Sequence, residues 1–351
     1  MSLQKNVALK NTDRETIIGI SDVLKEAKRI SIIPHENPDG DAMGSALGLG
    51  QVLKNRGGFE VQVMPVNDYP DFLKWFSSDV PVVIYEKDKK AVKDFLFSSD
   101  VLICVDFNEE KRAGHLEKMI HRFDKTKILI DHHPYPTAFC RYTVSEVKYS
   151  STAELVYDVI NELGYTDSLN TQAAEALFTG IMTDTGGFSH NTSPNTFKVV
   201  SELMQYGINS DYIQSSVFHN FSAERMKLLG YCLNEKMQVF PEYRAAVIGL
   251  TLEELGRYNF VPGDSEGFVN YPLSINNIVF SALFIEKEGF VKASFRSKGD
   301  FPANEFSRDH FNGGGHLNAA GGESELNFKE TIEKFTQLLP QYKHQLLKTK
   351  I

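Results

Sequence analysis

The 351-residue sequence is poor in cysteine, with three in all: Cys104, Cys140 and Cys232, far apart and in apolar or mixed surroundings. An odd, scattered set offers neither a disulfide framework nor a CxxC metal site, so these are read as reduced packing residues. No run approaches the roughly 18 apolar residues of a membrane span, and the opening stretch MSLQKNVALKNTDRET lacks the apolar core of a signal peptide. A cytoplasmic protein without a membrane partner is the expectation. Basic residues are in deficit as well, 37 Lys+Arg against 46 Asp+Glu, for a net charge of −9. That balance argues against a broad grip on long duplex DNA, which needs a basic face. A small phosphorylated ligand is still allowed, because a pocket holding divalent cations attracts phosphate whatever the surrounding charge. Biased tracts and internal repeats are absent too. With 42% hydrophobic residues, the chain has material for about two globular domains.

Up to about residue 190 the pattern alternates short β-rich runs with helical stretches. The runs at 30–34, 61–66, 81–85, 101–106 and 128–131 read as strands, several apolar enough to be buried on both faces. Helical patterns cover 41–56, stopped by Gly57-Gly58, and 153–163, stopped by Gly164. Ser151 and Glu154 form a capping-box signature for the second. The sum is a parallel α/β sheet, in which ligands bind beyond the carboxyl ends of the strands. Residues 195–238 read as a helical linker between domains at 1–194 and 239–351. The second domain mixes strands at 245–250, 278–286 and 290–295 with a turn at Lys287-Glu288-Gly289, and closes in an amphipathic helix over 328–344.

Four acidic and histidine clusters fall at ends of buried elements. His35, Asp39 and Asp41 share a loop tightened by Pro38 and Gly40, where a plain turn would use Asp41 as helix N-cap. Asp106 closes an apolar run, where a carboxylate must meet a cation or several donors. Asp131, His132 and His133 follow another such run. Adjacent histidines on a strand extension point to opposite sides, so one can ligate a metal and the other face substrate, with Asp131 orienting a ring. Asp184 stands in Gly180-Ile-Met-Thr-Asp-Thr-Gly-Gly187 at the end of an apolar helical pattern, where Thr183 and Thr185 could hydrogen-bond it and a helix-terminal turn is the plainer explanation. Two histidines and four aspartates suit Mn²⁺, with Mg²⁺ or Co²⁺ as alternatives. Six ligands exceed the needs of one open catalytic ion. Two ions bridged by a shared carboxylate fit better, and imply hydrolysis of a phosphate ester or anhydride.

In the second domain, Arg296 and Ser297 lie in Ser294-Phe-Arg-Ser-Lys-Gly299, and Gly313, Gly314 and Gly315 precede His316. A glycine triplet exposes backbone N–H groups to an anion, and Arg296 can take a phosphate with two parallel bonds; a flexible loop is the alternative. Gly44, Gly48 and Gly50 do not meet GxGxxG, and the acidic loop before them would repel a pyrophosphate.

These motifs, from residue 31 to 322, resemble those of the DHH–DHHA1 phosphoesterase family, and within it the small oligoribonuclease and 3′-phosphoadenosine-5′-phosphate phosphatase group. The resemblance implies an α/β protein with an N-terminal parallel-sheet DHH domain, a smaller mixed α/β DHHA1 domain and a cleft between them. It implies His35, Asp39 and Asp106 on one Mn²⁺, and Asp41, Asp106, His132 and Asp184 on another. His133 would contact the scissile phosphate with Asp131 behind it, while Arg296 and His316 hold the far end of a short oligonucleotide or nucleotide. A homodimer is allowed. Pyrophosphatases of the superfamily lack the Gly-Gly-Gly-His loop, RecJ-type exonucleases carry a further domain, and membrane-tethered cyclic-dinucleotide phosphodiesterases have spans. Soluble relatives acting on cyclic or linear diadenylate, an exopolyphosphatase, and a nucleotide sensor without turnover are the remaining alternatives.

Overall fold

The computed structural model describes Leu9, Thr12 and residues 14–350, so the opening stretch read for a signal peptide lies almost wholly outside the described residues. The chain divides into two compact units, Met1–Asn220 and Phe221–Ile351, and the division falls inside the stretch read as a linker.

The first unit runs α1 (Arg14–Glu26), β1 (Arg29–Pro34), α2 (Gly40–Arg56), β2 (Glu60–Val63), α3 (Lys89–Ser98), β3 (Val101–Val105), α4 (Glu117–Arg122), β4 (Thr126–Asp131), β5 (Tyr142–Ser145), α5 (Thr152–Glu162), α6 (Thr171–Asp184), α7 (Pro194–Met204) and α8 (Ser210–Phe218). Its five strands are all parallel, in the order β2-β1-β3-β4-β5. The α/β expectation holds. Because β1 has β2 on one side and β3 on the other, the chain reverses direction across the sheet at β1/β3, where parallel sheets open a crevice at their carboxyl ends. Apolar side chains pack on both faces: Ile32, Val63, Ile103 and Ile130 on one, Ile33, Met64, Leu102 and Leu129 on the other. This double burial is why β1, β3 and β4 read as unbroken apolar runs.

The strand read at 81–85 is not one. That segment does run beside residues 63–66, with the Val83 amide bonded to Val63 O and the Tyr85 amide to Pro65 O. Pro65 has no N–H to return, so the ladder shrinks to the single Val63–Val82 bridge and β2 stops at Val63. Tyr142–Ser145, which carried no strand reading, adds β5 at the sheet edge.

The second unit contains α9 (Ala223–Tyr231), β6 (Gln238–Phe240), β7 (Ala245–Leu250), α10 (Leu252–Arg257), β8 (Phe280–Lys287), β9 (Phe290–Ser297), α11 (Ala303–His310), β10 (Gly314–His316), β11 (Ala319–Ser324) and α12 (Phe328–Lys348). The mixed sheet has the order β10-β11-β9-β8-β7-β6, with β7 and β8 parallel and every other pair antiparallel. One face is sealed by Phe280, Phe284, Phe295, Phe306, Phe311 and Phe335, all fully buried; each contributes about 1.5–3 kcal/mol by leaving water. Among the described residues, no helix is long and apolar enough to cross a membrane.

Candidate metal centre

Parallel register carries the chemistry to one place. Pro34 pairs with Val105 and Val105 with Ile130, so the residues that follow, His35, Asp106 and Asp131, leave three adjacent strands at one level. Asp106 takes φ +66°, a left-handed conformation that costs a non-glycine residue about 1 kcal/mol or more and is retained where function demands it. Its buried carboxylate accepts from Thr152 Oγ1 at 2.8 Å.

Among the described residues of the first unit, three groups of candidate ligand atoms converge: His35 with Asp39 and Asp106; Asp41 with His132 and Asp184; and Asp106 with Asp131 and His133. Within each group the atoms lie no more than 4.8 Å apart. Nε2 of His35 is 3.5 Å from Asp106 Oδ2 and 3.8 Å from Asp39 Oδ1. Nε2 of His132 is 3.6 Å from Asp184, 3.8 Å from Asp106 and 3.9 Å from Asp41. These separations are too long for hydrogen bonds and of the size that divides two ligands of one cation. The opposite ring nitrogens are occupied: His35 Nδ1–H donates to Glu36 O at 2.8 Å and His132 Nδ1–H to Tyr149 O at 3.2 Å. Each Nε2 therefore presents its lone pair to the carboxylates, the tautomer a metal requires. Asp131 instead accepts from His133 Nδ1 at 2.7 Å, as expected of a ring-orienting acid, while its other oxygen is buried without a hydrogen bond.

The site is short of positive charge. Burial opposes a charged His35 ring, yet Asp106 and Asp39 outweigh it and push its pKa up to about 10. Burial, reinforced by the charges of Asp106, Asp184 and Asp39, drives Asp41 well above the usual carboxylate range. Burial and the Asp106 charge lift Asp131 to about 7. Protons are held here where cations would otherwise balance the carboxylates, and binding metal would expel them. The donor set of imidazole and carboxylate, with an orphaned buried oxygen, fits hard divalent ions.

Several readings need correction. Asp39, not Asp41, caps α2, its Oδ1 accepting from the amides of Asp41 and Ala42 at 3.0 Å. Asp41 lies inside the helix and accepts from the amides of Thr152 and Ala153, at 2.7 and 2.8 Å, at the N-terminus of α5. Thr183 and Thr185 turn from Asp184 and donate to carbonyls of the preceding helical turn, as helix-embedded hydroxyls do. Ser151 caps α5, but Glu154 accepts from the Ser150 amide and hydroxyl at 3.0 and 2.5 Å, so the capping box is only half formed. The Thr152 hydroxyl and Tyr149 carbonyl were missed; the only signal was their place beside the Ser151 cap.

In the second unit Arg296 is half-buried on β9, opposite Ala319 of β11. Gly314, Gly315 and His316 do not form a loop: they are β10, an edge strand paired with β11, and Gly313 leads into it. Close packing explains Gly313, where a Cβ would stand 2.0 Å from Gly321 O. The buried Ser297 hydroxyl donates to Phe301 O at 2.7 Å and accepts from Asn318 Nδ2 at 2.8 Å, so it is engaged within the unit.

Residues 29–181 match the DHH family, N-terminal domain, and residues 245–345 match the DHHA1 domain. A bifunctional oligoribonuclease and PAP phosphatase NrnA from Thermus thermophilus is 30% identical over 309 residues, 86% of either chain. The chain belongs to the DHH family. Among solved structures, an exopolyphosphatase-related protein from Bacteroides fragilis superposes with a TM-score of 0.91 at 40% identity, over 97% of this chain and 99% of that one. RecJ of Thermus thermophilus in complex with Mn²⁺ gives 0.57 at 16% identity, over 96% of this chain and 56% of its own, a likeness of fold alone.

Proposed function

We propose that this phosphoric ester hydrolase cleaves short oligonucleotides to mononucleotides, or 3′-phosphoadenosine-5′-phosphate to AMP, with two Mn²⁺ ions at the acidic centre of the first unit. The observation that carries this reading is the pair of imidazoles, His35 and His132, each anchored at Nδ1 and turned by Nε2 into a ring of aspartates. The NrnA relative supports it.

His35, Asp39 and Asp106 would hold one ion, and Asp41, Asp106, His132 and Asp184 the other. When bound, such ions supply Lewis acidity toward a phosphate and an acidified water. The chain's own groups prepare the rest. Amides at the N-terminus of α5 favour the ionised form of Asp41. Asp131 keeps the proton of His133 on Nδ1, so that Nε2 faces the substrate side as an acceptor, or as a donor once protonated. Arg296, His316, Gly313 and the edge-strand residues Gly314 and Gly315 would bind the nucleotide.

Asp184→Asn tests the ligand set. Mn²⁺-dependent release of mononucleotide from pApA is expected to fall by about two orders of magnitude or more, and unchanged release would remove Asp184 from it. The 40% identity to the exopolyphosphatase-related protein favours one rival, hydrolysis of polyphosphate, which the same assay reads with polyphosphate as substrate.

A further inference from the structure

The 3₁₀ segment Glu110–Leu116 follows the Asp106 loop and lies against the loop that carries His35. The Glu36 amide donates to Arg112 O at 2.7 Å. Gly114 makes the contact possible: its φ is +49°, and a Cβ there would meet the Glu36 carboxylate at 2.2 Å. The backbone of Arg112 is thus pinned beside one of the proposed ligands.

Its side chain is half-buried, and among the described residues no carboxylate or carbonyl accepts from the guanidinium. The nearby acids face other partners: Glu110 has Lys127 at 3.8 Å and His121 at 3.6 Å, and Glu36 has His115 at 4.0 Å. The charge of Arg112 nevertheless reaches the acidic centre, where it favours the ionised forms of Asp39 and Asp131, which stand beyond different strands. Asp39, Asp41, Asp106, Asp131 and Asp184 bring five negative charges to the centre. Two divalent cations leave one of these uncompensated, and a phosphodiester adds another. A half-buried guanidinium without an acceptor, at the rim of such a centre, matches the planar, bidentate geometry that phosphate offers.

We propose that Arg112 is a substrate-binding residue of the first unit, its guanidinium taking two non-bridging oxygens of the phosphate to be cleaved. This rests on reading the centre as a two-cation phosphoesterase site. A purely structural arginine would act on folding, and the pinning at this turn is by the backbone, which substitution leaves in place.

Arg112→Gln and Arg112→Lys, compared with the unaltered chain, separate the cases. Three quantities are read: kcat/KM on pApA with Mn²⁺, the rise in Tm on adding Mn²⁺, and calorimetric binding of inorganic phosphate to the Mn²⁺-loaded protein. Arg112→Gln is expected to lower kcat/KM by about 100-fold and to weaken phosphate binding by about tenfold or more, with the Mn²⁺-induced rise in Tm unchanged. Arg112→Lys, which keeps the charge and loses the fork, should recover part of both. Undiminished phosphate affinity in Arg112→Gln overturns the proposal. So does loss of the Mn²⁺ response in both variants, which would make Arg112 part of the metal site's framework. If the unaltered chain turns over no nucleotide, the enzymatic reading fails, and phosphate binding still decides the role of Arg112.

Discussion

Asp39 and Asp41 stand two residues apart and do different work. One caps α2 and faces His35; the other is buried within the helix and receives the amides of α5. The sequence showed that acids at this strand end matter, because a loop of His, Pro, Gly and Asp after an apolar run has few structural uses. Which acid caps was hidden, since either Asp can start a helix and the choice depends on α5, over a hundred residues away. The same device recurs in the second unit. Glu254 accepts from the Thr251 amide at 2.9 Å, the Tyr231 hydroxyl at 2.6 Å and Lys236 Nζ at 2.6 Å. Burial raises its pKa, but Lys236, Thr251 and Tyr231 outweigh burial and hold it down to about 2. An unfolded chain returns it to about 4.3. The fold thus favours the ionised form, so the stabilisation is complete above about pH 4.3 and is lost as pH falls toward about 2. Glu254→Gln should lower stability near neutral pH and flatten the loss across that acid window, as read by denaturant midpoints at several pH values; a parallel acid limb would contradict the assignment.

At the scale of elements, legibility follows burial. The strands β1, β3 and β4, buried on both faces, announce themselves as apolar runs, whereas β5 buries only Val144 and leaves Tyr142, Thr143 and Ser145 half-buried, a mixed pattern. Glycines in two helices, Gly44 of the stretch that fails GxGxxG and Gly180 of the Asp184 motif, prove to be contact points between helices. A Cβ on Gly44 would stand 2.5 Å from Ala176 O, and one on Gly180 would stand 2.6 Å from Ala153 Cβ and 3.0 Å from Asp41 Oδ1. This close approach of α2, α5 and α6 brings Asp41 and Asp184 to 3.9 and 3.6 Å from the same atom, His132 Nε2. Sequence spacing cannot reveal it, because Gly44 and Ala176, and Asp41 and Gly180, are separated by more than a hundred residues. Gly180→Val is expected to destabilise the protein by roughly 1–3 kcal/mol through overpacking and, by displacing Asp41, to reduce the Tm gain from Mn²⁺. Thermal unfolding with and without Mn²⁺ checks both, and an unchanged gain would show that helix packing does not position the acids.

For the whole molecule, the net charge of −9 and the cluster of buried acids have one physical consequence: phosphate approaches this protein favourably only where cations reverse the local sign. Activity and metal must therefore appear together. The measurement that tests this most directly is product release from pApA, short RNA, 3′-phosphoadenosine-5′-phosphate, pyrophosphate and polyphosphate, each with Mn²⁺ and with a chelator. The expected result is mononucleotide or AMP release that requires Mn²⁺ and ceases with the chelator. Turnover confined to pyrophosphate or polyphosphate, or nucleotide release that persists under chelation, would contradict the account.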